Sequence, residues 1–147
     1  MAKRFVWRLE TVLKSKQRME EQRQQDLGRA IAKLSVQQAE RNRIIDLQMR
    51  CRQDLKQLQK GRLNVTDLAQ INTHLDVLDQ QCRGVEKRIK DAQKVVDATR
   101  EKLAQAVRER QVLENLKAQD YKMFQKAERK RDQMMMDELA ARRKWYE

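Results

Sequence analysis

The chain has 147 residues, carries 34 Lys or Arg against 22 Asp or Glu for a formal net charge of +12, and contains no proline and only three glycines. Turn residues and β-branched or aromatic runs are too scarce for a sheet protein. Residues that favour helices dominate, and the apolar residues are too dispersed for a compact core. The composition therefore indicates an all-α protein built from long helices.

The excess of positive charge favours an anionic partner, such as nucleic acid, an anionic membrane surface or an acidic protein. Acidic residues are interleaved with the basic ones, and no compact basic block precedes a heptad repeat, which argues against nucleic acid. No segment resembles a secretory signal or a membrane span. We therefore expect a cytoplasmic protein in which Cys51 and Cys82 are reduced thiols.

Helix one is predicted over about residues 4–60. At its start, the residues expected to pack against the rest of the chain are Phe5, Leu9 and Val12. Val6 and Leu13 lie on an adjoining stripe, and Trp7 could either fill a partner's groove or lie along its own helix. The later apolar stripe is expected to contain Met19, Leu27, Ile31, Leu34, Ile44, Leu47, Cys51, Leu55 and Leu58.

A turn is predicted over about residues 61–66, before a second helix over about 67–145. Gly61 can adopt the left-handed conformation that ends many helices. Asn64 or Thr66 can cap the free N–H groups of the next helix. A helix, a short turn and a second helix together predict an antiparallel hairpin.

The strongest signal in the chain is an apolar repeat in helix two with alternating spacings of three and four. Its members are Leu68, Ile71, Leu75, Leu78, Cys82, Val85, Ile89, Ala92, Val96, Thr99, Leu103, Ala106, Arg110 and Leu113. Only Thr99 and Arg110 break the apolar pattern. Such a repeat is the seam of a coiled coil, the set of residues that faces the partner helix.

One antiparallel register aligns both seams, with the numbers of facing residues adding up to about 126. This register separates Cys51 from Cys82 by roughly 10 Å along the axis, too far for a disulfide. Helix one ends near residue 4, opposite about residue 122. Residues 124–147 are therefore predicted to form a helical overhang with no intramolecular partner. Its methionines suit a partner-binding surface, and a frayed tail is the alternative.

No pattern in the chain suggests catalysis. There is no glycine loop for a phosphate, and His74, the single histidine, has no cysteine or histidine at ligand spacing. The cysteines have no histidine placed to activate them. We expect no enzymatic activity, no cofactor and no metal.

Three stretches give the chain a resemblance to the FliJ family of the bacterial flagellar export apparatus. The first is the opening pattern Phe5-Val-Trp-Arg-Leu-Glu-Thr-Val-Leu13. The second is the segment Arg110-Gln-Val-Leu-Glu-Asn-Leu-Lys117 followed by Tyr121, and the third is the ending Arg131-Asp-Gln-Met-Met-Met-Asp-Glu-Leu-Ala140. The chain departs from some relatives at two places. His74 stands where an aromatic residue is common, and Met134-Met135 stands where lysine is common.

The resemblance implies a non-enzymatic stalk at the cytoplasmic face of the inner membrane. The paired termini would enter a FliI-like export ATPase hexamer and stimulate it, the region near the turn would meet an FlhA-like export gate protein, and export chaperones would be further partners. The residues implied at the ATPase are Phe5, Leu9, Arg131, Gln133, Met136, Asp137 and Glu138. Those implied near the gate are His74, Leu75 and Leu78, although both leucines already belong to the seam.

Two other functions remain open on the sequence alone. A stalk protein of a virulence-type secretion system would have the same helical pattern. A basic coiled-coil adaptor that binds nucleic acid would also be consistent with the charge, and its affinity would fall steeply with salt.

Overall fold

The structure is a computed structural model that describes residues 3–61 and 64–146. It contains two α-helices, α1 at Glu10–Lys60 and α2 at Val65–Tyr146, and the described residues form no strand. The helices pack against each other in opposite directions, which confirms the predicted helical hairpin. Arg62 and Leu63, which belong to the predicted turn, lie outside the described residues.

Local hydrogen bonds define the two helix ends near the turn. The Gly61 N–H donates to the Leu58 carbonyl at 3.3 Å, and no described glycine has a positive φ. The predicted left-handed glycine cap is therefore wrong: α1 ends in a tight turn instead. Asn64 is the N-cap of α2, because its side-chain oxygen accepts the Thr66 N–H at 3.1 Å and its carbonyl accepts the Leu68 N–H.

The seam predicted for α2 is confirmed residue by residue. All fourteen of its members are buried or half-buried, while nearly all other α2 residues up to residue 113 are exposed. The most buried are Leu78, Val85, Val96 and Ala106, each at most 4% exposed. The spacing of three and four keeps these side chains on one side of the helix, so the period alone identified them.

The later part of the α1 seam differs from the prediction at two positions. Met19 and Ile31 are exposed at 42% and 43%, whereas Ala30 is 6% exposed and Glu20 is half-buried. In the structure the spacing of three and four residues continues through Glu20 and Ala30. The neighbouring apolar residues, Met19 and Ile31, do not follow this spacing and are exposed. Side-chain position on the helix, more than hydrophobicity, decides which residues face α2.

The chain divides into two compact units, each of which contains a segment of both helices. The turn unit covers residues 23–103. Its core has two apolar clusters, one around Ile44, Leu78 and Val85 and one around Ala30, Leu34 and Val96. Cys51 and Cys82 lie beside the first cluster as free thiols.

The terminal unit covers residues 1–22 and 104–147. Leu13 and Ala106 are its buried helix residues, at 4% exposed each. Ion pairs connect the two helices here: Glu10 with Lys117 at 2.8 Å, Lys16 with Glu109 at 3.0 Å, and Glu20 with Arg110. These partners keep close to the predicted register, and Phe5 packs on Tyr121 as the register requires.

Helix one begins at Glu10, so the prediction that it starts near residue 4 is wrong. Residues 3–7 have no regular secondary structure, and a turn at residues 8 and 9 leads into α1. Aromatic and β-branched side chains lower helix propensity in this stretch. We call residues 3–9 the N-terminal strap. Within it, Val6 is 83% exposed, and at the start of α1 Leu13 packs inward in place of Val12.

Candidate docking surfaces

Trp7 fastens the strap to α2. Its side chain is 5% exposed, and its indole Nε1–H donates to the Asp120 carboxylate at 2.8 Å. The Lys117 ammonium lies 6.0 Å from the centre of the indole ring, within the range of a cation–π contact. Trp7 therefore neither fills a partner's groove nor lies along its own helix, the two roles that the sequence left open. It is an intramolecular anchor.

A small aromatic cluster continues this contact towards the C-terminal half of α2. The Phe5 ring lies 5.3 Å from the rings of both Tyr121 and Phe124, in an edge-on arrangement with Tyr121. Edge-to-face and tilted contacts of this kind stabilise aromatic pairs. Phe5 and Leu9, which the resemblance placed at the ATPase, are half-buried against their own chain. A partner can reach only their outer edges.

Beyond Phe124, α2 continues without a partner helix. Every residue from 129 to 145 is exposed, including Arg131, Gln133, Met136, Asp137 and Glu138. We call residues 132–145 the tip. Its large apolar side chains are solvent-exposed: Met134 at 67%, Met135 at 64%, Met136 at 73%, Leu139 at 63% and Trp145 at 90%. Methionine and tryptophan are both enriched at protein–protein interfaces.

The apolar side chains of the tip point in different directions around the helix. Consecutive residues are about 100° apart, so Met134, Met135 and Met136 span roughly 200° of the circumference. Viewed along the helix axis, Leu139 lies between Met135 and Met136. A flat partner contacts one side of a helix and would leave at least one of these methionines in water. The arrangement suits a partner that surrounds the helix.

The residues predicted at the export gate do not share one surface. His74 is exposed and lines an open groove on α2 with Thr73 and Val77. Leu75 is half-buried in the seam. Leu78 is 2% exposed and packs with Ile44 and Val85, so its placement on a docking surface is wrong. Its position in the seam requires it to face α1.

The interhelical ion pairs of the terminal unit were missed in the sequence, although a signal for them existed. Arg110 breaks the apolar pattern of the α2 seam, and Lys16 occupies a seam position of α1. In the structure Arg110 contacts both Glu20 and Glu114, and these carboxylates raise its pKa further. The hydrogen bond from Lys16 lowers the pKa of Glu109. The predicted register sets Lys16 opposite Arg110, and the acidic residues nearest to this pair include Glu109 and Glu20, which are the partners that the structure shows.

The described residues contain no group of His, Cys, Asp or Glu side chains that could hold a metal ion. Burial and the neighbouring Glu86 raise the pKa of the Cys82 thiol, which makes it a poorer nucleophile at neutral pH. Neither described helix has an apolar stretch that could span a bilayer.

The comparison with known protein families agrees with this geometry. The family model described as flagellar FliJ protein matches residues 5–146, which includes both helices, the strap from Phe5 onward and the whole tip. No significant match was found among curated proteins or solved structures. Since the match covers nearly the entire chain, this protein is a member of the flagellar FliJ protein family, whose members are non-catalytic components of flagellar export.

Proposed function

We propose that this protein is a stalk that docks its tip into the centre of a FliI-like export ATPase hexamer, stimulates ATP hydrolysis and links the hexamer to an FlhA-like export gate protein. Escort of export chaperones is a further role implied by the family. The observation that carries the proposal is the distribution of exposed apolar side chains around the circumference of the tip. A ring of subunits can bury Met134, Met135 and Met136 simultaneously, whereas a one-sided partner cannot.

The two ends of α2 differ in a way that supports a stalk. Near the turn, α2 is half-covered by α1, and its outer side presents small polar groups and His74. At the tip, the helix is uncovered on all sides. In our proposal the tip is the ATPase end, and the outer side of α2 around His74 faces the gate.

The protein supplies no reacting group in this mechanism. A ring of identical subunits that surrounds an asymmetric helix must contact different side chains at different subunits. Contacts that favour one arrangement of the ring over the others shift its population toward that arrangement. The rate of hydrolysis rises if the favoured arrangement is the active one. The size of the effect is limited by how much more favourably the protein binds that arrangement than the others.

The experiment is to measure ATP hydrolysis by the cognate export ATPase with the full-length protein and with a version that ends at Phe124. The shortened protein keeps the aromatic contacts of Phe5 and both helices of the hairpin. We expect stimulation by the full chain and none by the shortened version. Far-UV circular dichroism of the two proteins checks that the hairpin is intact.

A single-residue comparison tests the same surface without removing it. Met136→Ser should weaken stimulation of ATP hydrolysis. Met49→Ser is the control, because Met49 lies on α1 and is 54% exposed, and it should leave stimulation unchanged. Both changes place the same residue type on an exposed helix position. If neither the full chain nor any variant changes the hydrolysis rate, the stalk proposal fails and a different role in flagellar export must be sought.

A further inference from the structure

Folding concentrates the positive charge of the chain in one part of the terminal unit. The strap and the start of α1, residues 3–18, pack against residues 117–131 of α2 through Trp7, Phe5 and Glu10. Together these two segments contain twelve basic against three acidic residues, a net charge of +9 of the +12 that the whole chain carries. We call them the basic band.

The few acidic residues of the basic band are already engaged. Glu10 pairs with Lys117, Asp120 accepts the hydrogen bond from Trp7, and Glu128 pairs with Arg131. Nine basic residues of the band are exposed and have no ion pair within the described part of the chain. They are Lys3, Arg4, Arg8, Lys14, Arg18, Lys122, Lys126, Arg129 and Lys130. The band therefore presents uncompensated cations to solvent.

Four of these cations form a continuous stripe on α2. Lys122, Lys126, Arg129 and Lys130 follow the spacing that places residues on one side of a helix, and they cover about 12 Å of its length. This side lies opposite Phe124, which packs towards the strap. Like charges at such spacing repel one another, so the stripe destabilises the isolated helix slightly. A bound anionic surface would remove that repulsion.

Acidic residues follow the band on the tip. They are Asp132, Asp137 and Glu138, and basic residues resume only at Arg142. A nucleic acid laid along the helix would bring its phosphates against these carboxylates. A short, localised acidic surface would meet only the cations. The dimensions of the band therefore favour a protein partner over a long polyanion.

We propose that the basic band binds a carboxylate-rich collar at the mouth of the protein socket that receives the tip. This inference rests on the proposed function, because the collar belongs to the ring that surrounds the tip. The band is continuous with the tip on α2, so a ring that encloses residues 132–145 has its rim next to residues 117–131. Attraction between rim and band would guide the tip into the socket and set how far it enters.

Exposed charges at the edge of an interface act mainly on the rate of association and on its salt dependence. The test uses two full-length variants that each lose four positive charges. The band variant carries K122Q, K126Q, R129Q and K130Q. The control variant changes four exposed lysines of the turn unit that have no ion pair in the described structure, through K87Q, K90Q, K94Q and K102Q.

Binding of both variants to the immobilised cognate export ATPase is measured by surface plasmon resonance over a series of salt concentrations. At about 50 mM salt we expect the association rate constant of the band variant to fall by roughly tenfold or more, with a smaller change in the dissociation rate. The control variant should associate within about twofold of the unaltered protein. Added salt should reduce the difference between the variants.

The outcomes separate this inference from the proposed function. If the unaltered protein does not bind the ATPase at any salt concentration, the proposed function and the collar both fail. If it binds and the band variant associates at the same rate, only the collar is refuted. Equal losses in the band and control variants would show that net charge alone matters, which also refutes the collar. The unaltered protein could bind a short DNA duplex tightly, and the band variant could lose this binding while it associates with the ATPase at an unchanged rate. That result would assign the band to nucleic acid and refute the collar.

Discussion

Truncation of Leu78 to alanine tests whether the seam of the turn unit holds the hairpin together. Leu78 is 2% exposed and packs in one cluster with Ile44 and Val85, which are 1% and 0% exposed. Buried Leu→Ala changes cost about 2.7 to 5 kcal/mol, and the cost grows with the cavity that remains. A two-helix seam is narrow and can partly close over the gap, so we expect a loss near the lower end, about 3 kcal/mol.

The measurement is urea denaturation followed by far-UV circular dichroism, which reports the loss of helix. With a slope of about 2 kcal/mol per molar urea, a loss of about 3 kcal/mol lowers the midpoint by about 1.5 M. Val77→Ala is the matched control, because Val77 is the neighbouring residue and is 43% exposed. That change should stay within about 0.5 kcal/mol of the unaltered protein.

Leu75→Ala sharpens the comparison within the same seam. Leu75 is only half-buried, so its truncation should cost roughly half as much as that of Leu78. If Leu78→Ala leaves the midpoint unchanged, the apolar seam does not carry the stability of this unit and our account of the hairpin is wrong. Equal losses at positions 75 and 78 would show that burial is not what determines the cost.

Three further predictions concern the polar contacts. Trp7→Phe keeps an aromatic ring but removes the hydrogen bond to Asp120, so we expect the docking of the strap to weaken by about 1.5 to 3 kcal/mol. Hydrogen exchange of the strap amides measures this loss, and unchanged protection of these amides would contradict the anchor role. The folded-state pKa of Glu109 is lowered by Lys16, so this pair stabilises the fold above the unfolded pKa of about 4.5 and the contribution disappears as the pH falls through the lower folded value. Glu109→Gln should therefore lower the urea midpoint at pH 7 and have little effect at about pH 3, and an equal effect at both values would be inconsistent with the ion pair. Since burial and Glu86 raise the pKa of Cys82, this thiol should react with iodoacetamide at pH 7 more slowly in the folded protein than in urea, and equal rates in the two states would show that the fold does not protect it.

The sequence by itself determined the helical hairpin. The spacing of three and four in α2 identified every seam residue, because side chains at that spacing share one side of a helix whatever lies opposite them. The same register located the uncovered C-terminal part of α2 even though α1 begins later than predicted, because the non-helical strap packs against α2 as far as Phe124. The sequence pattern was less accurate in α1, where hydrophobicity favoured Met19 and Ile31 over the seam positions Glu20 and Ala30.

Only the tertiary structure decided how the two ends of the chain combine. Residues 3–18 and 117–131 are about one hundred positions apart in the sequence, and they carry net charges of +5 and +4. The burial of Trp7 and its hydrogen bond to Asp120 bring them together. A linear pattern shows spacing within one helix, but it does not show which distant charges become neighbours. The basic band exists because folding places two separate segments side by side.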